Sequence, residues 1–257
     1  MSRAAAARAT KPRRPLSTTV SHGVAWLRLE RPQAHNRITP ELAQALCDAA
    51  TELELDDSVV IVVLAAAGAT FCGGVEGGDW QARIDWVDAI ARLSRPVIAA
   101  IQGDAIAEGL ELALACDLRV VSDRARFAMP QIAAGQLPSH GGTQRLPRIV
   151  GRMRALDLLL TGRTIDAAEA EAIGLASRVL AHNEFHRGLD ALVGQLTAKG
   201  PLAVRFAKEA VLKGSDMTLE QGIRLEEDLY VLLQTTHDRR EGVRAFLEKR
   251  KPVFHGN

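Results

Sequence analysis

Two short, almost uninterrupted apolar runs, residues 59–67 and 97–101, each lead into a glycine-containing segment. Runs this short and this rich in Val, Ile and Ala suit strands covered on both faces. They fall well below the roughly 20 residues of a membrane span. Residues 17–29 add a strand pair with a turn at His22-Gly23, and 118–122 and 127–130 read as further strands. Helical patterns lie between them. Thr39-Pro40-Glu41 is a helix start, with Thr as cap and Pro in the first turn, for a helix reaching about residue 55. Residues 80–93, 109–116 and 143–150 read as shorter helices.

Strand–loop–helix units thus recur at intervals of a few tens of residues, too irregularly for periodicity alone to establish a repeat. After residue 150 the chain reads as almost wholly helical: 153–160, 167–173, 185–198, 201–213, 218–236 and 240–249. The change of character falls near 174–182. The expected organisation is a basic, disordered tail at 1–16, a mixed α/β core at 17–180 and a helical C-terminal, oligomerisation region at 181–257. The tail, basic, Ala-rich and free of acids, overlaps in composition with organelle transit peptides; a plain disordered tail is the preferred reading. Apolar stripes on the C-terminal helices suit either an intramolecular core or a subunit interface.

The chain is 47% hydrophobic and 25% charged, with a formal net charge of +1 from 32 basic and 31 acidic residues. No global field argues for nucleic acid or a membrane surface, so an anionic ligand must be caught by local groups. The three cysteines, Cys47, Cys72 and Cys116, are odd in number and widely spaced. They suggest neither a disulfide framework nor a zinc site, and they fit a reducing cytoplasm.

Three stretches carry a family resemblance. Residues 68–75, GATFCGGV, resemble the pattern G-x-x-F-C-A-G-A-D. Residues 96–117, PVIAAIQGDAIAEGLELALACD, resemble K-P-V-I-A-A-V-N-G-x-A-x-G-G-G-x-E-L-A-x-x-C-D. Residues 127–146, FAMPQIAAGQLPSHGGTQRL, resemble F-x-x-P-E-x-x-x-G-x-x-P-x-x-G-G-T-Q-R-L. Flanking pieces agree: RPQAHN at 31–36, LTGRTIDAAEA at 160–170 and RAFLEKRK at 244–251. All lie in one colinear order over about residues 18–254. The chain resembles the enoyl-CoA hydratase/isomerase, or crotonase, family. The resemblance implies an α/β fold, the crotonase-type spiral of ββα units with a C-terminal helical region. It implies an acyl-CoA thioester as substrate, trimers or dimers of trimers, and no cofactor beyond the coenzyme A carried by the substrate.

Chemistry at the α and β carbons of an acyl-CoA passes through an enolate-like state, with charge developing on the thioester oxygen. Two backbone N–H groups aimed at that oxygen stabilise it by several kcal/mol. The matched loops place Val75 and Glu108 where the family supplies these donors. Gly73, Gly74 and Gly109 answer to backbone conformation and to ligand access alike. Glu111 is the expected acid–base residue; its alternative is a solvent-facing helix Glu, or one paired with an Arg. Gln131 departs from the pattern, where hydratases carry a second Glu. A carboxamide can hold water or a carbonyl but delivers no proton by titrating near neutral pH. Glu111 then acts alone, as in one-base isomerases, or a neighbour substitutes, or catalysis is weak.

Ser139 and His140, after Pro138 in the pocket-lining turn, stand where some family isomerases carry an acid. His140 is either a proton shuttle or an exposed loop residue. Glu108, three residues before Glu111, can share its helix face and raise a pKa; the preferred reading is an acid stabilising a helix N-terminus. Trp80 and Trp86 are pocket walls or core. Glu76 replaces the usual Asp, and the segment that follows is shorter than in most relatives, which leaves the acyl group open. Resemblance puts Arg31, Ala34 and Arg37 near the nucleotide of coenzyme A, joined by Lys251 and Phe254 from the C-terminal segment of the same or a neighbouring subunit. The implied reaction is reversible hydration of a 2-enoyl-CoA. Double-bond isomerisation with Glu111 as single base, and a catalytically weak acyl-CoA binder, are the alternatives.

Overall fold

The computed structural model describes residues 14–77 and 84–257. The tail assigned to 1–16 lies outside them up to residue 13, as do Trp80 and the start of the helix expected at 80–93. Strands β1 (Leu16–Ser21) and β2 (Val24–Leu29) form an antiparallel hairpin. Its two turn residues, His22 and Gly23, both have positive φ, 50° and 78°, the combination that matches the twist of flanking strands. Helix α1 (Pro40–Leu55) starts as its sequence dictates, the Thr39 side chain accepting from the Leu42 amide.

Three ββα units follow. They are β3 (Ile61–Ala66), β4 (Thr70–Cys72) and α2 (Trp86–Ala91); β5 (Val97–Ile101), β6 (Asp104–Ile106) and α3 (Glu108–Leu114); and β7 (Leu118–Ser122), β8 (Arg126–Ala128) and α4 (Gly142–Val150). The first strand of each joins a six-stranded sheet, ordered β1-β2-β3-β5-β7-β10 with β10 at Arg178–Leu180, and the second joins a four-stranded sheet, ordered β4-β6-β8-β9 with β9 at Ile165–Asp166. Pairing from β2 through β7 is parallel, as is β4-β6-β8. The chain therefore shuttles between two sheets while advancing one strand per turn, which is a spiral of ββα units.

Stacking of one turn on the next leaves no room for side chains at two glycines. A Cβ on Gly103 would lie 1.7 Å from the Ala69 carbonyl oxygen, and one on Gly109 would lie 2.1 Å from that of Cys72. These glycines let the β5–β6 turn and the start of α3 press against the preceding unit.

Both faces of the large sheet are covered. Val62, Leu64, Val97, Ala99, Ile101 and Val121 join the main core with α1. The opposite face, with Ile61, Val63, Ile98, Ala100 and Val120, meets Phe185, Leu189, Leu192 and Val193 of α7 (Phe185–Thr197). That i, i+4, i+7, i+8 spacing is one stripe of a helix.

Two short strands interrupt the almost wholly helical region expected after residue 150. Between α5 (Arg152–Thr161) and α6 (Ala167–Ala172), β9 (Ile165–Asp166) pairs antiparallel with β8; after α6, β10 (Arg178–Leu180) adds a parallel edge to β7. Strands of two and three residues are too short to carry an alternation. The remaining helices are α8 (Pro201–Gly214), α9 (Leu219–Gln234) and α10 (His237–Leu247). Helix α8 has no buried residue, but Lys208 ties it to the core: its Nζ donates to the Arg95 carbonyl at 2.9 Å and pairs with Asp117 at 2.7 Å. No helix among the described residues is long and apolar enough to cross a membrane.

Candidate active site

The loop after β4, the β6–α3 junction and the segment leading into α4 enclose a cavity of about 900 Å³. Its walls include Arg37, Gly73, Val75, Glu108, Gln131 and His140. The entry loop is fixed by Asn36. That side chain is fully buried, accepts from the Arg31 amide at 2.9 Å, and donates to the carbonyls of Ala67 and Thr70 at 2.8 and 2.7 Å. The Ile38 amide donates to the Gly74 carbonyl at 2.9 Å and that of Glu76 to the Ile38 carbonyl at 2.8 Å, so Val75 is held in an extended bridge beside Ile38. Gly73 donates to the His35 carbonyl at 2.9 Å, and Gly74 has φ +94°, where a side chain is strained.

Glu111 lies on α3 with no exposed surface, which removes the solvent-facing alternative. Its Oε1 accepts from the amides of His140 and Gly142, both at 2.8 Å. Gly142 opens α4 and His140 just precedes its N-cap, Gly141; a helix start leaves N–H groups without internal partners and favours a negative charge. Burial nonetheless pushes the Glu111 carboxyl above the ordinary range; the Gly142 and His140 bonds oppose this, and the nearby charge of Glu108 adds to it. Arg145 completes the turn by donating to the His140 carbonyl at 2.7 Å and pairing with Asp88. In the sequence Arg145 is only a motif letter, and its hold on this turn has no local signal.

Among the described residues, the buried side-chain polar atoms without a hydrogen-bond partner are Trp86 Nε1, Glu111 Oε2, both amide atoms of Gln131, and His140 Nε2. They gather at one place. Gln131, on the 3-10 turn Pro130–Ala134, and His140 line the cavity. Glu111 bonds the His140 amide, and the fully buried Trp86 ring packs on the His140 ring at a centroid distance of 5.0 Å. Burial lowers the His140 pKa against the raising effect of Glu108, Asp85 and Asp88, so its ring is held neutral near neutral pH. Cys72, behind the loop, is pushed up to about 12 by burial and is no nucleophile.

Glu108 stands in the first turn of α3, where an acid suits a helix N-terminus, but its carboxylate also has a partner outside the helix. Ala107, at the N-cap position, has φ 54° and ψ −123°, and its side chain makes no cap. The Glu108 carboxylate turns toward the β4 loop, where Oε2 accepts the Val75 amide at 3.2 Å. The backbone donor expected from Val75 is therefore held by the protein's own carboxylate.

Ser139 is exposed and Pro138 half-buried in the same turn. Arg31 pairs with Glu76 at 2.8 Å and donates to the Arg37 carbonyl; Ala34 ends the 3-10 turn beneath it, and Arg37 is exposed at the cavity edge. Lys251 and Phe254 are not among the lining residues: Phe254 packs against Gly242 and Gly200.

The family model for enoyl-CoA hydratase/isomerase matches residues 19–257. The YngF protein of Bacillus subtilis is 38% identical over 257 residues, spanning 94% of this chain and 98% of that one. The (E)-benzylidenesuccinyl-CoA hydratase of Thauera aromatica is 35% identical, spanning 94% and 99%. The crystal structure of an enoyl-CoA hydratase from Bacillus anthracis superposes with a TM-score of 0.89 at 33% identity, covering 95% of this chain and all of that one. The paired sheets, the colinear motifs and this full-length likeness agree: the chain belongs to the enoyl-CoA hydratase/isomerase family.

Proposed function

We propose that this protein processes acyl-CoA thioesters and that its reaction is the reversible hydration of a 2-enoyl-CoA. One observation carries the reading. Gln131 and His140, which line the cavity, carry unpartnered buried polar atoms, and so do Glu111 and Trp86, which contact His140 from behind its wall. Buried polar groups are almost always paired, so a cluster of unpaired ones reads as a place for a polar ligand.

In the proposed reaction Glu111 takes a proton from water, and the water oxygen bonds to the β-carbon. The α,β π-electrons become the enolate double bond and the carbonyl π-electrons move onto the thioester oxygen, where the backbone amides of Glu108 and of Val75, once its bond to the Glu108 carboxylate is exchanged, receive the charge. Glu111 then returns the proton to the α-carbon. Gln131 holds the water through its carboxamide. Arg31, Arg37 and the Ala34 turn form the coenzyme A mouth, with Lys251 and Phe254 as further contacts from the C-terminal segment. No cofactor is needed beyond the coenzyme A of the substrate.

The replacement of the second carboxylate by Gln131 favours a second reading, isomerisation of an enoyl-CoA with Glu111 as single base. Incubation with crotonyl-CoA and, separately, with a 3-enoyl-CoA distinguishes the two by mass. Hydration adds one water to the first; isomerisation moves the double bond of the second at constant mass. Gln131→Glu is expected to raise the hydration rate severalfold. Water addition by neither form, with the double bond of the 3-enoyl-CoA shifted, would assign the isomerase.

Assembly as a trimer or dimer of trimers is proposed from the family resemblance. Large exposed apolar residues on α8–α10, such as Val211, Ile223, Val231 and Phe246, support it. Residence in a reducing cytoplasm is proposed on the three free thiols.

A further inference from the structure

The family pattern carries glycine at the positions of Ala107 and Glu108. Here the second of them brings a carboxylate into the wall of the cavity, buried, with Oε2 on the Val75 amide. Gly74, whose φ of +94° favours glycine in any case, leaves room for that carboxylate: a Cβ there would come within 2.9 Å of the same Oε2. The bond itself, at 3.2 Å, is at the long end for N–H···O. The hold is therefore one that a better-placed oxygen can replace.

We propose that Glu108 is a specificity-determining residue: its carboxylate holds the Val75 amide, and a thioester must displace it to place its own carbonyl oxygen there. This rests on the acyl-CoA reading above. The Val75 N–H is a single donor, and a carboxylate oxygen crowds and repels the partially negative carbonyl oxygen of a thioester that seeks the same hydrogen. Entry of the thioester oxygen and departure of the Glu108 carboxylate are thus one exchange. A coenzyme A thioether, which has no carbonyl oxygen, has no claim on the amide and leaves Glu108 in place. Glu108 therefore weakens binding of thioesters and not of coenzyme A derivatives as a class.

The test is calorimetric titration of the full chain, and of Glu108→Ala and Glu108→Gln, with butyryl-CoA and with S-butyl-CoA. Thermal melting checks that each form is folded. Glu108→Ala is expected to bind butyryl-CoA about tenfold tighter, the scale of one hydrogen bond to a charged group, with S-butyl-CoA unchanged. Glu108→Gln, an isostere that still accepts from Val75 but carries no charge, is expected to give a smaller gain in the same direction, and it carries the test should the Ala form not fold. Equal changes for both ligands, no change, or weaker thioester binding would overturn the proposal. Failure of both ligands to bind any form would overturn the acyl-CoA reading, and this inference with it.

Discussion

The amide of Gly142 donates to Oε1 of Glu111 at 2.8 Å, and a Cβ added to Gly142 would lie 2.9 Å from that same oxygen. The glycine is at once the donor that aims the carboxylate and the gap that admits it. A methyl group there also meets Pro138 Cβ at 2.8 Å and Met129 Cε at 3.0 Å. Gly142→Ala is expected to push the carboxylate off its two amides. Overpacking of this kind costs about 1–3 kcal/mol, and the loss in kcat for crotonyl-CoA hydration is expected to exceed tenfold. Steady-state kinetics alongside a denaturant titration reads both effects.

The acid side of the pH profile reports on the same carboxylate. Burial outweighs the two amide bonds, so Glu111 holds its proton above the ordinary value of 4.5. A base acts only when ionised, so kcat/KM is expected to fall as pH drops through a midpoint above 4.5. The stability effect has the matching sign. The folded form binds this proton more tightly than the unfolded chain, so the contribution is full below the unfolded pKa and is lost as pH rises through the folded one. Glu111→Gln, which has no charge to bury, is therefore expected to gain stability relative to the wild type at neutral pH and not at pH 4. Melting curves at the two pH values measure this; an equal difference at both would contradict it.

Asn36 is the keystone of the entry loop. It sits in the left-handed region at φ 52° and makes three side-chain hydrogen bonds, one buried and two partly buried. Asn36→Ala leaves an amide and two carbonyls unsatisfied and places Ala where Asn is tolerated best. At about 1–3 kcal/mol for each unpaired buried group, the expected loss is roughly 3–5 kcal/mol, read as a lower denaturant midpoint with an unchanged slope.

Much of this arrangement is legible in the chain itself. The apolar runs that became β3 and β5 carry their burial on both faces in their composition, because every residue must meet a protein surface. Thr39 and Pro40 announce α1 through one side-chain bond and one fixed φ. By contrast β4, β6, β9 and β10 have two or three residues each, and partners distant in sequence alone make them strands. Of the second sheet, only β8 shows in the local pattern for that reason.

The site divides along the same line. Glu111 stands out as a carboxylate in an apolar helix, a contradiction that only partners or function resolve. The contact from Glu108 to Val75 spans 33 residues and depends on the backbone turn at Ala107. Nothing in the local pattern points to it. Arg145, which meets Asp88 across 57 residues, is hidden likewise.

The most direct test of the account is crotonyl-CoA hydration by Glu111→Gln, measured beside butyryl-CoA binding to the same protein. Removing a positioned general base typically costs 10²–10⁴-fold. The account predicts a loss in kcat of that order, with the butyryl-CoA dissociation constant within about threefold of the wild type, since the carboxylate bonds the α4 turn and is not a binding group. Hydration retained to within a few-fold by Glu111→Gln would contradict it.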